Sequence, residues 1–282
     1  MARKIDTQNE SLDVYVYMAK TFADTPWLHY GMWEFGDRVS VPNMRKAQER
    51  YVEFLLSFFP PAPKSVLDVG GGTGEMASLL TSKGYEVDMI TPSGVQAEEA
   101  DTKLPMERVH HCTFEAFETD RKFDVVLFSE SFQYIPLDQS LPKSKSLLAP
   151  GGTIVIADCF RGENYNGELA PGSGHKITEF FETIGALGLN VARDEDVTDK
   201  VAPTMEIDQQ FYRGFVSPLV TQIDGLLKRT RPIVHWFAGM GYKLFTSRDS
   251  RDRMQMRLKA EYRSPDNFRK ANTYRFFALK AD

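Results

Sequence analysis

A doubly wound, mostly parallel α/β sheet is the fold class this sequence predicts, and three observations predict it. Short apolar runs alternate with helical stretches from Ser65 onward. Those runs are continuously apolar, as strands are when helices cover both faces of a parallel sheet. The first run, Ser65-Val66-Leu67-Asp68-Val69, empties into Gly70-Gly71-Gly72-Thr73-Gly74 and then a helix. Alternating elements of this kind wind into one sheet with helices on both sides. Ligands of such sheets bind beyond the carboxyl ends of the strands.

The elements follow in order. A helix is predicted over 11–24 and another over 43–59, where Tyr51, Phe54, Leu55 and Phe58 recur at helical spacing. Asn43 is placed to cap the second. Pro60-Pro61-Ala62-Pro63 stops it, because proline cannot continue a helix. Strands are predicted over 65–69, 86–90, 108–112, 123–128 and 153–157, with helices over 75–83, 94–101 and 138–148. Gly84 suits the end of the first of these helices. A helix over 177–187, a strand over 189–194 and a last strand over 273–279 complete the count. Between the final two strands lies a helical, aromatic insertion of about 70 residues, too long for a plain connection. It carries Phe211, Tyr212, Phe215, Trp236, Phe237 and Tyr242 and is expected to form a lid over the strand ends. The expected organisation is thus a helical segment over 1–60, a Rossmann-like core over 61–198, a lid over 199–271 and a final strand over 272–282.

Bulk properties narrow the function. The chain has 282 residues and a formal net charge of −5. Phosphate backbones need a basic face, so a general nucleic-acid partner is not expected. No apolar run approaches the roughly 20 residues of a membrane span. No apolar segment follows Met1-Ala2-Arg3-Lys4 as a secretory signal would. Cys112 and Cys159 stand alone, which implies neither a disulfide framework nor a metal site. A reducing cytoplasm is the expected location.

The glycine turn carries the chemistry. Glycines allow positive φ and let a ligand touch backbone where a Cβ would collide. The helix that follows aims its free N–H groups at whatever rests on the turn. Gly72-Thr73-Gly74-Glu75-Met76-Ala77 also fits a degenerate dinucleotide fingerprint, so a nicotinamide oxidoreductase is one reading. Asp68 argues against it, since a carboxylate at the strand end repels a pyrophosphate. The second strand ends in Thr91-Pro92-Ser93, without the acidic residue a dinucleotide ribose wants. A ligand bearing an ammonium group would welcome Asp68, and S-adenosylmethionine is such a ligand.

Asp68-x-Gly70-x-Gly72-x-Gly74 after Val66-Leu67 resembles the first motif of class I S-adenosylmethionine-dependent methyltransferases. Leu148-Ala149-Pro150-Gly151-Gly152 and Phe123-Asp124-Val125-Val126 resemble later motifs of that family. His29-Tyr30-Gly31-Met32-Trp33 resembles the entry segment of its small-molecule subgroup, which includes tocopherol, sarcosine and ubiquinone-pathway enzymes and the cyclopropane synthases. The resemblance covers 27–204 and the final strand. It implies S-adenosylmethionine held by Asp68, Gly70, Gly71 and Gly72, with Tyr30 and Gly31 folded over its methionine end. Thr91 and Gln96 would serve the ribose, Thr113 and Phe114 the adenine, and Ser129 the region of the sulfonium. The matches to the cyclopropane synthases' bicarbonate-holding Cys and Glu are Met32 and Gln133, so that base site is not expected.

Methyl transfer from a sulfonium asks mainly for alignment, with a general base only where the acceptor must lose a proton. His29, Glu130 and His235 are the candidate catalytic residues, Glu34 and His175 weaker ones. Lys228-Arg229-Thr230-Arg231 is a basic cluster that would suit a carboxylate or phosphate, or be a solvated helix face. The expected activity is methylation of a small, partly hydrophobic molecule, at oxygen or carbon. The rivals are the oxidoreductase and a catalytically silent S-adenosylmethionine-binding protein.

Overall fold

The apolar runs of the sequence become the strands β1 (Ser65–Val69), β2 (Glu86–Thr91), β3 (Val109–His111), β4 (Phe123–Ser129), β5 (Leu148–Arg161), β6 (Leu189–Asp196) and β7 (Asn272–Ala281). The computed structural model describes residues 24–62, 64–165, 171–231 and 262–281, together with 233 and 236. Of the helix predicted over 11–24, all but the last residue lies outside the described residues. Among the described residues the α-helices are α1 (Val41–Leu56), α2 (Glu75–Ser82), α3 (Gly94–Ala100), α4 (Leu137–Leu147), α5 (Ile177–Ala186), α6 (Thr198–Val201), α7 (Thr204–Phe211), α8 (Ser217–Thr230) and α9 (Pro265–Ala271). A π-helical turn, Tyr212–Val216, joins α7 to α8.

The seven strands form one sheet in the order β3-β2-β1-β4-β5-β7-β6. All neighbours from β3 to β5 run parallel, while β7 is antiparallel to both β5 and β6. The order reverses between β1 and β4, which is where an open α/β sheet leaves a crevice for ligand. Side chains alternate across the sheet. Val66, Val125, Val155 and Phe276 face one core, with Tyr51 and Leu55 of α1 and Leu80 of α2. Leu67, Val126, Ile154 and Phe277 face the other, with Leu141 of α4 and Phe180 of α5.

Two local expectations are corrected. Asn43 does not cap α1: the helix begins at Val41 behind Ser40, with Pro42 in its first turn. Proline's fixed φ suits that position and brings the start forward. Asn43 lies inside the first turn, and its Nδ2 donates to the Arg38 carbonyl at 2.8 Å. The second correction is β5, expected over 153–157. It runs to Arg161 because β7 pairs with it from Thr153 to Arg161. A strand gains length where a partner satisfies its backbone, which its own residues do not announce. Of the expected lid, 204–230 is helical, and Phe237 and Tyr242 lie outside the described residues.

Residues 24–33 cross the carboxyl ends of β1 and β4. Met32 N donates to Ala47 O at 2.8 Å and Trp33 N to Lys200 O at 2.8 Å. Gln48 Nε2 donates to the carbonyl of His29 at 2.6 Å and to that of Trp27 at 3.1 Å. Thr204 Oγ1 bridges Gly31 and the Trp33 indole, at 3.2 and 3.0 Å. This strap is therefore fixed from α1 on one side and from α6–α7 on the other.

Phe276 joins the strap's support to the sheet, with ring contacts to Tyr51, Phe54, Phe58 and Tyr274. Phe276→Ala should cost about 3–5 kcal/mol of stability. Urea unfolding checks this through a lowered midpoint at unchanged slope.

Candidate active site

The glycine turn is shaped by its neighbours. Gly70 N and Gly71 N both donate to Ile90 O, at 2.9 and 3.0 Å. Gly70 has φ +74°, and a Cβ there would stand 2.4 Å from Ser131 Cβ. Ser131 in turn donates its hydroxyl to Val69 O. A Cβ on Gly71 would come within 2.7 Å of Asp68 Oδ2. Gly72 also sits at positive φ, with Leu28 of the strap over it.

Two buried carboxyls and one half-buried one gather at the strand ends. Asp68 is 1% exposed, its Oδ2 has no hydrogen-bond partner, and desolvation raises its pKa to about 7. Asp158 on β5 is fully buried and accepts from Gln133 N at 3.0 Å and Cys159 N at 2.7 Å. Desolvation outweighs those bonds and raises it to about 7. Glu130 follows β4 in the left-handed region, φ +57°, which a non-glycine residue adopts at some cost. Its Oε1 accepts from Tyr30 N at 2.7 Å and from the Tyr274 hydroxyl at 2.8 Å. Desolvation, with Asp158 adding like charge, lifts its pKa to about 8. No Lys or Arg makes an ion pair with any of the three among the described residues, whereas Asp88, deeper in β2, has Arg108 at 2.9 Å and Arg121 at 2.6 Å.

His29 is buried in the strap, stacked on Tyr51 with ring centroids 4.1 Å apart. Its Nδ1 lies 2.8 Å from the Tyr30 carbonyl, which only accepts, so that nitrogen holds the proton. Nε2 is then a lone pair with no partner. Burial lowers the imidazole pKa to about 4, and the ring stays neutral.

The other candidates are spread over the same edge of the sheet. Thr91 donates to Gln96 Oε1 at 3.1 Å, both buried, and Gln96 Nε2 has no bond among the described residues. Ser93 accepts from Gln96 N at 3.3 Å and so also caps α3. Phe114 is buried in the core edge-on to Phe128, and exposed Thr113 accepts from Ala116 N at 3.3 Å. Ser129 Oγ lies 3.3 Å from the Tyr51 hydroxyl. His175 Nε2 lies 3.0 Å from the Ile135 carbonyl and Glu34 is at the exposed turn before α1. His235 lies outside the described residues. In the basic cluster, Lys228, Arg229 and Arg231 are exposed, and Lys228 pairs with Asp224 at 2.7 Å. The structure thus brings Asp68, the glycines, His29, Tyr30 and Glu130 to the ends of β1 and β4. Sequence reasoning missed Asp158, Tyr51, Tyr274 and Thr204 as members. Tyr51 reads as one of four rings and aliphatics on a helix face, and Asp158 as the end of an apolar run.

Comparison with known proteins comes to the same region. Residues 44–174 match the family model described as a methyltransferase domain. A probable chloroplastic tocopherol O-methyltransferase of Oryza sativa subsp. japonica is 32% identical over 144 residues, which are 46% of this chain and 40% of that protein. An uncharacterized methyltransferase of Alkaliphilus oremlandii is 34% identical over 36% of this chain and 50% of its own length. The chain therefore spans about half or less of these two relatives. Geranyl diphosphate C-methyltransferase of Streptomyces coelicolor A3(2), solved with S-adenosyl-L-homocysteine, shares the fold with a TM-score of 0.64 at 13% identity, covering 99% of this chain and 100% of that one. The 4+2 cyclase SpnF shares it with a TM-score of 0.63 at 20% identity, over 97% and 95%.

The ionisations have a consequence for stability. A folded pKa above the unfolded value stabilises at low pH, and the gain is lost as pH rises through the folded pKa. Asp68, Asp158 and Glu130 therefore weaken the ligand-free fold as pH climbs from about 4 to about 8. The depressed pKa of His29 acts oppositely, but only between about 4 and 6.5. The melting temperature of the ligand-free protein should fall from pH 6.5 to 8, and Asp68→Asn should flatten that slope; calorimetric scans check both.

Proposed function

With residues 44–174 being a methyltransferase domain, we propose that the protein moves a methyl group from S-adenosylmethionine to a small, partly hydrophobic acceptor. The observation that carries this is Asp68: a carboxyl at the end of β1, beneath Gly71, buried with no cation beside it. Leaving a buried carboxylate unpaired is costly. An ammonium on the ligand relieves the cost, directly or through a water, and a pyrophosphate would increase it. The lack of a side chain on Gly71 lets the Asp68 carboxyl pack directly against the turn, where a Cβ would stand 2.7 Å from Oδ2. Gln96 Nε2 offers a donor to a ribose hydroxyl, and the strap residues Tyr30 and Gly31 close over the methionine end.

When bound, the cofactor supplies a methyl carbon already activated by sulfonium charge. The chain's share is to align the acceptor, exclude water and take a proton. Glu130 suits the last task, because a carboxyl with pKa about 8 is a far stronger base than an ordinary glutamate and is positioned where β4 ends. His29 Nε2, neutral and without a partner, suits an acceptor group that donates a hydrogen bond, such as a hydroxyl. The half-buried rings of Trp27 and Tyr30 suit an apolar body. Oxygen or carbon methylation fits these groups, and the rice relative named as a tocopherol O-methyltransferase and the geranyl diphosphate C-methyltransferase exemplify one each. A phosphate or carboxylate on the acceptor would find Arg229 and Arg231 at the end of α8. The segment up to residue 60 and the lid over 199–271 then form the cover of the site, and the core over 61–198 with the strand over 272–282 its floor. No helix among the described residues is long and apolar enough to cross a membrane. Free Cys112 and Cys159 suit a reducing cytoplasm.

Calorimetry with S-adenosylhomocysteine should show binding that tightens as pH rises through about 7, where Asp68 ionises. Asp68→Ala should weaken it roughly ten- to hundredfold, and Gly72→Val should block it; near-normal affinity in either would sink the site assignment. NADH fluorescence should not respond. Transfer of labelled methyl into a metabolite extract should fail for Glu130→Gln while homocysteine-nucleoside affinity changes little. Tight binding with no transfer by the unaltered protein would instead favour the silent binder.

A further inference from the structure

Tyr51 of α1 and Tyr274 of β7 come from opposite ends of the chain and meet beneath Glu130. Both side chains are fully buried. The Tyr274 hydroxyl lies 2.8 Å from Glu130 Oε1 and 2.9 Å from the Tyr51 hydroxyl. The Tyr51 hydroxyl lies 3.3 Å from Ser129 Oγ. Each hydroxyl has one proton to give. Tyr274 spends its proton on Glu130, so Tyr51 donates to Tyr274 and Ser129 donates to Tyr51. The chain of donors points one way, toward the carboxyl.

Oε1 of Glu130 thus receives two donors, the Tyr274 hydroxyl and the Tyr30 N–H, and the second of these can never accept. A proton placed on Oε1 would face that N–H and force the hydroxyl chain to reverse. Oε2 has no hydrogen bond among the described residues, and Glu130 is half-buried rather than sealed. We propose that Tyr274, oriented by Tyr51, is a positioning residue that together with the Tyr30 N–H saturates Oε1 and makes Oε2 the oxygen on which Glu130 takes the acceptor's proton. The O–H bond of the acceptor breaks and its proton bonds to Oε2; the electron pair left on oxygen would bond the methyl carbon as the methyl–sulfur bond breaks, that bond's pair staying on sulfur as a neutral thioether. The inference rests on Glu130 as the base, and it names the two residues that set its strength and its facing side.

The Tyr274 hydroxyl also opposes the burial that raises the carboxyl. Tyr274 lowers the pKa of Glu130, whereas desolvation and the charge of Asp158 raise it. The other titratable groups about it are Cys159 on β5, Tyr51 and Tyr274 themselves, and His29, which is stacked on Tyr51. Cys159 and both tyrosines are pushed well above their usual values, and His29 is neutral above about 4. Asp158 is then the group that shares the neutral range with Glu130.

Carbon-13 labelling of glutamate side-chain carboxyls, read by NMR on the ligand-free protein, tests this without any acceptor. The Glu130 resonance is the one missing in Glu130→Gln. It should titrate with a midpoint of about 8 in the unaltered protein. Tyr274→Phe should move that midpoint up by roughly one pH unit, since a bond to the charged form is lost. Tyr51→Phe, one bond further away, should move it up by less, and it serves where Tyr274→Phe fails to fold. An unmoved midpoint in a folded variant overturns the positioning role. A midpoint near an ordinary glutamate in the unaltered protein overturns Glu130 as the base, and the two failures are told apart in one titration.

Discussion

The sheet collects three carboxyls at one edge and, among the described residues, leaves them without a counter-charge. Asp68 and Asp158 are buried and Glu130 half-buried, and desolvation is the largest influence on the pKa of every one. A protein that only needed stability would place an arginine there, as it does at Asp88. The cost is tolerable if a ligand brings the positive charge. A sulfonium nucleoside with an ammonium group carries two such charges, which is why the edge suits it.

The rest of the architecture holds that edge in place. Asp158 binds the backbone of the turn after β4, whose Ser131 packs on Gly70 and bonds the end of β1. Asp158 thus braces the turn that packs on the glycine loop, and Asp68 lies under that loop. On the opposite side, Thr204 and Gln48 hold the strap by side-chain bonds to its backbone. The strap carries Tyr30 N–H to Glu130 and stacks His29 on Tyr51. The strap and the sheet therefore meet at His29 and Glu130. A strap released from Thr204 would also release Glu130.

The shared fold does not choose the reaction. SpnF, named as a cyclase, and a geranyl diphosphate C-methyltransferase both superpose on nearly the whole chain. What separates such proteins is the set of groups facing the cofactor's reactive end. At the ends of β1 and β4 this chain gathers a raised carboxyl, a neutral imidazole and, beneath them, a buried tyrosine pair.

Much of this was legible in one dimension. The strand order along the chain, the glycine turn and Asp68 follow from local rules: apolar runs, φ freedom, and charge beside a phosphate or an ammonium. The entry segment drew attention to His29 and Tyr30 for the same reason, since its motif is contiguous. The helix start at Asn43 and the length of β5 were misjudged, because a proline's position and an antiparallel partner more than a hundred residues away decided them. Asp158, Tyr51 and Tyr274 could not be singled out at all. Each sits inside an ordinary apolar pattern, and its meaning comes from a contact across 106 to 223 residues of sequence or from the loss of water around it. Local sequence determined where a ligand can touch backbone; only the folded sheet decided which hydroxyls and carboxyls share a proton, because hydrogen bonding and desolvation depend on distance in space.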